Sequence, residues 1–390
     1  MPTLRGRSRY SMKKLAIIGA SYLQEPLVRK AKEMGLYSIC FAWRDGATCA
    51  NICDKFYDIS ITEKGEILRV CREEKINGIC TIASDVAAPT VAYIAEALGL
   101  CGNTYDSAIR ANNKYLMRNA LAKAGVPCPQ YLKVTSASDL DISKFQIPLI
   151  VKPSDRSGSL GVTKINRMEE LPSAIERALS LSFKHEAMVE EFIEGREISV
   201  EFISYHGTHY PLQITDKVTT GAPHFVELAH HQPSSLPADM FEYIYDITRK
   251  ALDALGITNG ASHSEYKITK DGRVVVMEIG GRMGGDFIGS DLVRLSTGYD
   301  FVKGVIEVAL GIFNEPEISE HNYSGVYFLC EETKDLLPII QNWKDNPAFV
   351  AGEITDTTFR KVEKSADRSG YVIYKHSARI VLSELYEENN

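Results

Sequence analysis

From Leu15 onward, short apolar runs alternate with amphipathic stretches, the pattern of strands followed by helices. The first runs predict a strand from Leu15 to Gly19, a helix from Pro26 to Met34 closed by Gly35, and a strand from Tyr37 to Trp43. A second round gives a strand from Gly78 to Ala83 and a helix from Ala87 to Leu98 closed by Gly99. This alternation is that of a parallel α/β domain, expected over residues 13–105. A helix pair follows around 106–125, and Val126-Pro127-Cys128-Pro129 forms a stiff connector into a second domain. Strands then predominate to about Val162, before a helix from Leu171 to Leu181, a strand from Ala187 to Phe192 and a turn at Glu194-Gly195. The next strand alternates Glu197, Ser199 and Glu201 with Ile198, Val200 and Phe202, one face acidic and the other apolar. Helices are expected at Met240–Leu255 and Tyr299–Leu310, and short strands with one helix from 319 to 390 read as a small α+β appendage. Residues 1–12 are basic and irregular and read as a disordered tail, with Met12-Lys13-Lys14 resembling a natural start.

Within this pattern one hairpin carries chemistry. Asp271-Gly272 is a favoured two-residue turn, and folding there sets Glu265 opposite Glu278, with Arg282 one helical-turn spacing later. A four-residue loop would shift the register by two and still leave both carboxylates on one face. Facing carboxylates repel unless a cation lies between them. Mg²⁺ takes carboxylate and phosphate oxygens, so this trio fits a nucleoside triphosphate held through a metal; the bland alternative is a solvated acidic hairpin.

The 390 residues allow two to four domains with substantial cores, and a net charge of -7 argues against nucleic acid as a partner. No apolar run approaches a membrane span, so no membrane partner is expected and a cytoplasmic location is. Eight cysteines are scattered without a CxxC pair and read as reduced, mostly buried thiols. Gly19-Ala20-Ser21 is not a dinucleotide fingerprint. Ligands of open parallel sheets still sit at strand C-termini, which makes Ser21, Gln24 and Asp85 candidates for substrate contact, with helix capping as the alternative for Asp85.

Lys152 ends an apolar strand just before Ser157-Gly158-Ser159-Leu160-Gly161, so it can reach a phosphate while the loop's backbone N–H groups cradle another. The loop lacks Gly-Lys-Ser/Thr and joins strand to strand, unlike a P-loop. Lys114 is a second candidate phosphate contact, or by itself a solvated lysine. In order, Lys114, Lys152-Pro153, Ser157 to Gly161, Glu190-Glu191-Phe192-Ile193-Glu194-Gly195-Arg196-Glu197, Glu265, Glu278 and Arg282 resemble the ATP-grasp ligases over roughly residues 13–310. The resemblance implies an α/β and α+β chain: a pre-ATP-grasp domain at 13–105, a small ATP-grasp subdomain with the flap at 106–190, a body with the metal site at 191–318, and the appendage at 319–390. It also implies ATP between the two subdomains, with Glu190 taking the adenine amino group, the backbone of Glu191 to Ile193 reading the ring, Glu197 on the ribose, and Mg²⁺, with Mn²⁺ as an alternative, on Glu265 and Glu278. The family often has asparagine two residues after the second metal glutamate, where this chain has Gly280.

Arg282-Met283-Gly284-Gly285 and the segment from His224 to Ser234 look most like the L-amino-acid ligases of that superfamily. By that resemblance Arg282, Gly284 and Gly285 face an acyl phosphate, and Glu227 and His230 line the pocket of the acceptor amine, with a structural histidine as the alternative for His230. Asp286 receives a cationic substrate group or caps a helix. The expected reaction is ATP-dependent activation of a small-molecule carboxylate and its joining to an amine, as an amide or dipeptide, with Arg282, Lys152, His230 and Glu227 as catalytic candidates. The rivals are a carboxylase or formyl transferase acting on a nucleotide precursor, and a non-catalytic nucleotide-binding regulator. A homodimer is implied by the family alone.

Overall fold

In the computed structural model, which describes residues 12–137, 144–156, 160–221 and 224–381, the first alternation folds as a parallel sheet. Its strands are β1 (Lys14–Ile18), β2 (Tyr37–Ala42), β3 (Lys55–Asp58) and β4 (Gly78–Cys80), in the order β3-β2-β1-β4. Helices α1 (Glu25–Glu33), α2 (Lys64–Glu74) and α3 (Ala88–Leu98) return the chain between them or follow. The pair β3 and α2 was not expected from the sequence. β3 is a short edge strand with no buried residue, and α2 is rich in charge, but it buries Ile67, Leu68, Val70 and Cys71 on one stripe. Leu15 to Ile18 are fully buried because helices cover both faces of the sheet.

Two short helices, α4 (Tyr105–Asn112) and α5 (Lys114–Lys123), lead through the proline-rich connector to a small antiparallel sheet. It comprises β5 (Tyr131–Val134), β6 (Leu149–Pro153), β7 (Thr163–Ile165) and β8 (Ala187–Glu191), ordered β5-β8-β6-β7, with α6 (Leu171–Leu181) packed on it. Of the Gly-rich flap between β6 and β7, residues Ser157, Gly158 and Ser159 lie outside the described residues.

The remaining strands form one eight-stranded sheet: β9 (Arg196–Tyr205), β10 (Thr208–Thr219), β11 (Glu227–Gln232), β12 (Gly260–Ile268), β13 (Val274–Gly280), β14 (Tyr323–Leu329), β15 (Phe349–Ile354) and β16 (Gly370–His376). Their order is β13-β12-β9-β10-β11-β14-β16-β15. Helix α7 (Ala238–Leu255) buries Ile244, Ile247, Ala251 and Leu255 against it. The short α8 (Val293–Thr297), α9 (Phe301–Ala309) and α10 (Leu337–Gln341) complete the chain. The region expected as an appendage is therefore built into the main sheet, because β14 bonds directly to β11, with His230 against Val326. Sequence periodicity shows strands but not their partners, which is why this continuity was invisible.

The hairpin turn also differs from expectation. Gly272 has φ +81° but Asp271 is not among the residues with positive φ, and Thr269 N–H bonds Arg273 O, so the loop is three residues closed by a left-handed glycine. That turn alone would set the register one residue off. A bulge between Tyr266/Val276 and Glu265/Glu278 restores it, and Glu265 stands directly opposite Glu278.

Candidate active site

A cleft of about 530 Å³ lies where the two antiparallel sheets and the N-terminal domain meet, lined by seven carboxylates, seven lysines or arginines and two histidines. Lys114 opens α5 after Asn113, whose side chain accepts the Leu116 N–H and fixes the helix start beneath the cleft. Its Nζ donates to Glu278 Oε1 at 2.9 Å and to Arg156 O at 3.0 Å. Burial alone would lower the pKa of Lys114, but Glu278 outweighs it and keeps the ammonium charged.

One turn further along α5, on the same face, Arg118 is fully buried, with its Nε at 3.0 Å from Glu190 Oε1 and a terminal N–H at 2.7 Å from Met277 O. Lys152, at the end of β6, reaches Glu190 Oε2 at 2.7 Å. Glu190 is thus a buried carboxylate between two cations. Burial would raise its pKa, yet Arg118 and Lys152 hold it down to about 2. Lys152 itself is pushed down, by burial first and then by the neighbouring Arg118 and Lys114. The sequence reading did not include Arg118, although its position four residues after Lys114 places it on the same helical face.

The two hairpin carboxylates are each held by a lysine. Glu265 accepts from Lys217 at 2.5 Å, which drives its pKa well below the carboxylate range, and Glu278 pairs with Lys114. Lys217 on β10 also faces Glu227 at 3.5 Å; burial would lower its pKa, but the flanking carboxylates raise it instead. It was missed in the sequence because the only signal was its place in a strand. Beneath this pair lies another buried unit, His263 Nδ1 at 2.5 Å from Glu201 Oε1, with His263 Nε2 3.5 Å from Glu265. Burial opposes the charge on His263, but Glu201 raises its pKa to about 9.

Arg282 grips Asp85 through Nε and a terminal nitrogen, both at 2.8 Å. Asp85 therefore does not cap α3 with its side chain; Ser84 Oγ accepts the Ala87 N–H in that region, and Asp85 lines the cleft. Burial would raise the Asp85 pKa, but Arg282 lowers it. Gly280 now has a physical reason. A Cβ there would stand 2.9 Å from Asp85 Oδ1 and 3.3 Å from the Arg282 guanidinium carbon, in space that this ion pair fills.

Asp286 is not a helix cap either. It has φ +48°, Phe287 holds the cap position of the following π-turn, and the Asp286 carboxylate accepts two bonds from Arg368, at 3.0 and 2.8 Å. Arg368, from the segment before β16, was not anticipated; it lies 86 residues from Arg282 in sequence and only sheet pairing brings it here. His230 is 1% exposed, stacks edge-on to Phe328, and has no hydrogen-bond partner among the described residues for either ring nitrogen. Burial lowers its pKa, leaving it neutral at neutral pH. Glu227 accepts from Ser365 Oγ at 3.3 Å.

Among the other predicted residues, Ile193, Glu197 and Gly285 line the cleft, with Glu197 3.2 Å from Lys267. Glu191, Gly161 and Gly284 lie off it. Glu191 accepts the Gln130 N–H, Gly161 has φ +77° and packs against Pro153 and Leu181, and the Gly284 N–H points to buried Glu201 at 3.4 Å. Gln24 is structural, donating to Ile82 O at 2.8 Å and accepting from Ser21, so it ties β1 to β4.

For a metal, Glu265 and Glu278 are the carboxylates brought face to face, and no group of three or more His, Cys, Asp or Glu poised for a metal occurs among the described residues. Two hard oxygen donors beside Lys114, Lys217 and Arg282 fit Mg²⁺, an ion that takes carboxylate oxygens and keeps several waters.

Residues 145–291 match the ATP-grasp domain family. Alanine–anticapsin ligase of Bacillus subtilis is 31% identical over 244 residues, 56% of this chain and 51% of the relative. D-alanine–D-alanine ligase of Geobacter sulfurreducens is 28% identical over 197 residues, 49% of this chain and 61% of the relative. The chain spans about half the length of the first of these. Among solved structures, an L-amino acid ligase from Bacillus licheniformis superposes with a TM-score of 0.81 at 23% identity, covering 96% of each chain. Phosphoribosylglycinamide synthetase from Anaerococcus prevotii gives 0.76 at 21% identity, covering 97% of this chain and 96% of its own. The chain carries an ATP-grasp domain, and its architecture is the ATP-grasp fold.

Proposed function

We propose that the protein is an ATP-dependent ligase that activates a carboxylate as an acyl phosphate and joins it to an amine, with an amino acid as the carboxylate. The observation that carries this reading is the cleft in which the paired carboxylates Glu265 and Glu278, the phosphate-reaching lysines Lys114, Lys152 and Lys217, and Arg282 converge. The similarity to alanine–anticapsin ligase and D-alanine–D-alanine ligase, both of which carry alanine in their names, supports the substrate class.

In the reaction, a carboxylate oxygen attacks the γ-phosphorus of ATP, the bond to ADP breaks, and an acyl phosphate forms. The amine then attacks the acyl carbon and phosphate leaves. Lys114 and Lys217, each now holding a carboxylate, would turn to phosphate oxygens once a cation takes their place on Glu278 and Glu265. Glu265 and Glu278 would hold Mg²⁺, which would supply positive charge for the transferred phosphoryl group. Arg282 would stabilise charge on the same group, and the flap after Lys152 would keep water from the acyl phosphate. Glu190 is engaged by Arg118 and Lys152, so an adenine amino group would use its remaining lone pairs. His230, neutral and without a hydrogen-bond partner among the described residues, is suited to take the proton released by the amine.

Phosphate release from Mg·ATP against paired amino acids, with mass detection of products, tests the proposal. Amide formation that requires two amino acids supports it. Release that requires bicarbonate or another carboxylate would transfer the site to a carboxylase or a different ligase class.

A further inference from the structure

Glu201 and His263 form a buried pair beneath the hairpin carboxylates, Glu201 sealed within the sheet and His263 at the floor of the cleft. Strands β9 and β12 set Glu201 opposite His263 and, two residues along the same face, Ser199 opposite Glu265. His263 Nδ1 is 2.5 Å from Glu201 Oε1, and its Nε2 stands 3.5 Å from Glu265 Oε1. Each ring nitrogen thus faces a carboxylate oxygen and carries a proton toward it. Glu201 also reaches the neighbouring wall. Its Oε2 faces the Gly284 N–H at 3.4 Å, and a Cβ at Gly284 would stand 2.7 Å from His263 Nδ1 and 3.2 Å from Glu201 Oε2. Gly284 belongs to the turn that carries Arg282. A buried ion pair adds little net stability over an apolar pair of similar volume, so stability alone does not account for it here. Lys217 is at present the donor to Glu265 Oε1, at 2.5 Å. A cation on Glu265 would displace that lysine, and His263 Nε2 is the donor then left beside the same oxygen.

We propose that His263 is a positioning residue for the metal site: held by Glu201, it orients the Glu265 carboxylate through Nε2–H, and through Glu201 it keeps that carboxylate in fixed relation to the Gly284 turn and Arg282. The proposal rests on the metal role given to Glu265 above. His263 acts through the carboxylate and touches no reacting atom. A ligand carboxylate held by a buried donor keeps one orientation and loses less rotamer freedom when a metal binds. Removing such a donor weakens metal affinity by about tenfold or more, whereas a merely structural pair would change stability and leave metal affinity of the folded protein as it was. Two amide side chains separate the two ring nitrogens. Asparagine reproduces the Nδ1 donor toward Glu201 but ends short of Nε2, while glutamine carries its amide out to the place of Nε2.

The test titrates Mn²⁺ into the full chain with saturating ADP and reads free Mn²⁺ by electron paramagnetic resonance, with the melting temperature alongside. His263→Asn should raise the Kd for Mn²⁺ by about tenfold or more, and His263→Gln should recover most of that loss. In turnover, His263→Asn should lower kcat and raise the Mg²⁺ concentration needed for half-maximal rate, with KM for the carboxylate and the amine unchanged. Gly284→Ala, which drives a methyl group into the pair, should weaken Mn²⁺ binding as His263→Asn does, and it carries the test if His263→Asn does not fold. An unchanged Kd for Mn²⁺ in either folded variant overturns the proposal. So does an equal loss in His263→Asn and His263→Gln that follows their melting temperatures, which would make the pair structural. Mn²⁺ binding does not depend on condensation, so a lack of product from every amino-acid pair overturns the ligase reading without touching this one. Failure of the unmodified chain to bind Mn²⁺ with ADP overturns the metal site and the proposal together.

Discussion

Individual charges in this cleft are defined by their present partners. Glu278 holds Lys114, and Glu265 holds Lys217 and lies near His263. Replacing Glu278 with glutamine keeps the shape and removes the charge, so Mg²⁺-dependent turnover should fall by about 10²-fold or more. Circular dichroism should stay unchanged, and retained turnover would refute the metal role. Lys152 is one of two cations on a buried carboxylate. Lys152→Ala should weaken ATP binding by calorimetry and cost about 1–3 kcal/mol of stability, because Arg118 alone then compensates Glu190. Unchanged affinity would remove Lys152 from the nucleotide site. Gly280→Asn introduces the side chain that the resemblance led us to expect two residues after Glu278, but its Cβ meets the Asp85–Arg282 pair. Turnover should drop and the melting temperature should fall; a gain in Mg²⁺ affinity with no loss of either would contradict this explanation of the glycine.

Among the elements, β11 and the β12–β13 hairpin do most to shape the site. The bulge in the hairpin sets the two glutamates opposite each other, while β11 presents Glu227 and His230 to the cleft and turns His231 toward β16. His231 bonds the Tyr374 hydroxyl at 2.9 Å, and burial, then the cationic Arg379, lowers its pKa to about 3. In the unfolded chain His231 takes a proton near its ordinary pKa of about 6.5, whereas the folded chain resists protonation until much lower pH. Its contribution to stability is therefore complete above that value and declines as pH drops toward 3. His231→Gln should flatten this part of the stability–pH curve in chemical unfolding; an identical slope in both proteins would show that another group carries it.

At the scale of the whole molecule, the N-terminal domain is part of the site because Asp85 reaches Arg282 across the interface. Nearby, Ala83 N–H bonds Met283 O, and β4 meets the end of α9 so closely that a Cβ at Gly78 would lie 2.6 Å from Ala309 O. Gly78→Ala should cost about 1–3 kcal/mol through this forced separation. Its effect should also reach catalysis, as a lower kcat, since moving the domain moves Asp85. A variant that loses stability but keeps full activity would separate domain docking from the site.

Local pattern was enough for β1, α1, β2, β4 and α3 but not for β3 and α2, for α5 with Lys114 at its head, for α6 in its full extent, and for the pairing of Glu265 with Glu278 though not for the turn that closes the hairpin, because each success depends on periodicity, turn residues and spacing within a few residues. Motif order was enough for the ATP-grasp class. The tertiary structure decided what distant segments do together. Strand pairing joined residues 319–381 to the main sheet and carried Arg368 to Asp286. Burial turned Arg118 and Lys217 from unremarked side chains into the partners of Glu190 and Glu265. Contact with Arg282 turned Asp85 from a candidate helix cap into a wall of the cleft. Charge pairing acts through space, over a few ångströms, and a sequence records which charges exist but not which of them the folded chain sets side by side.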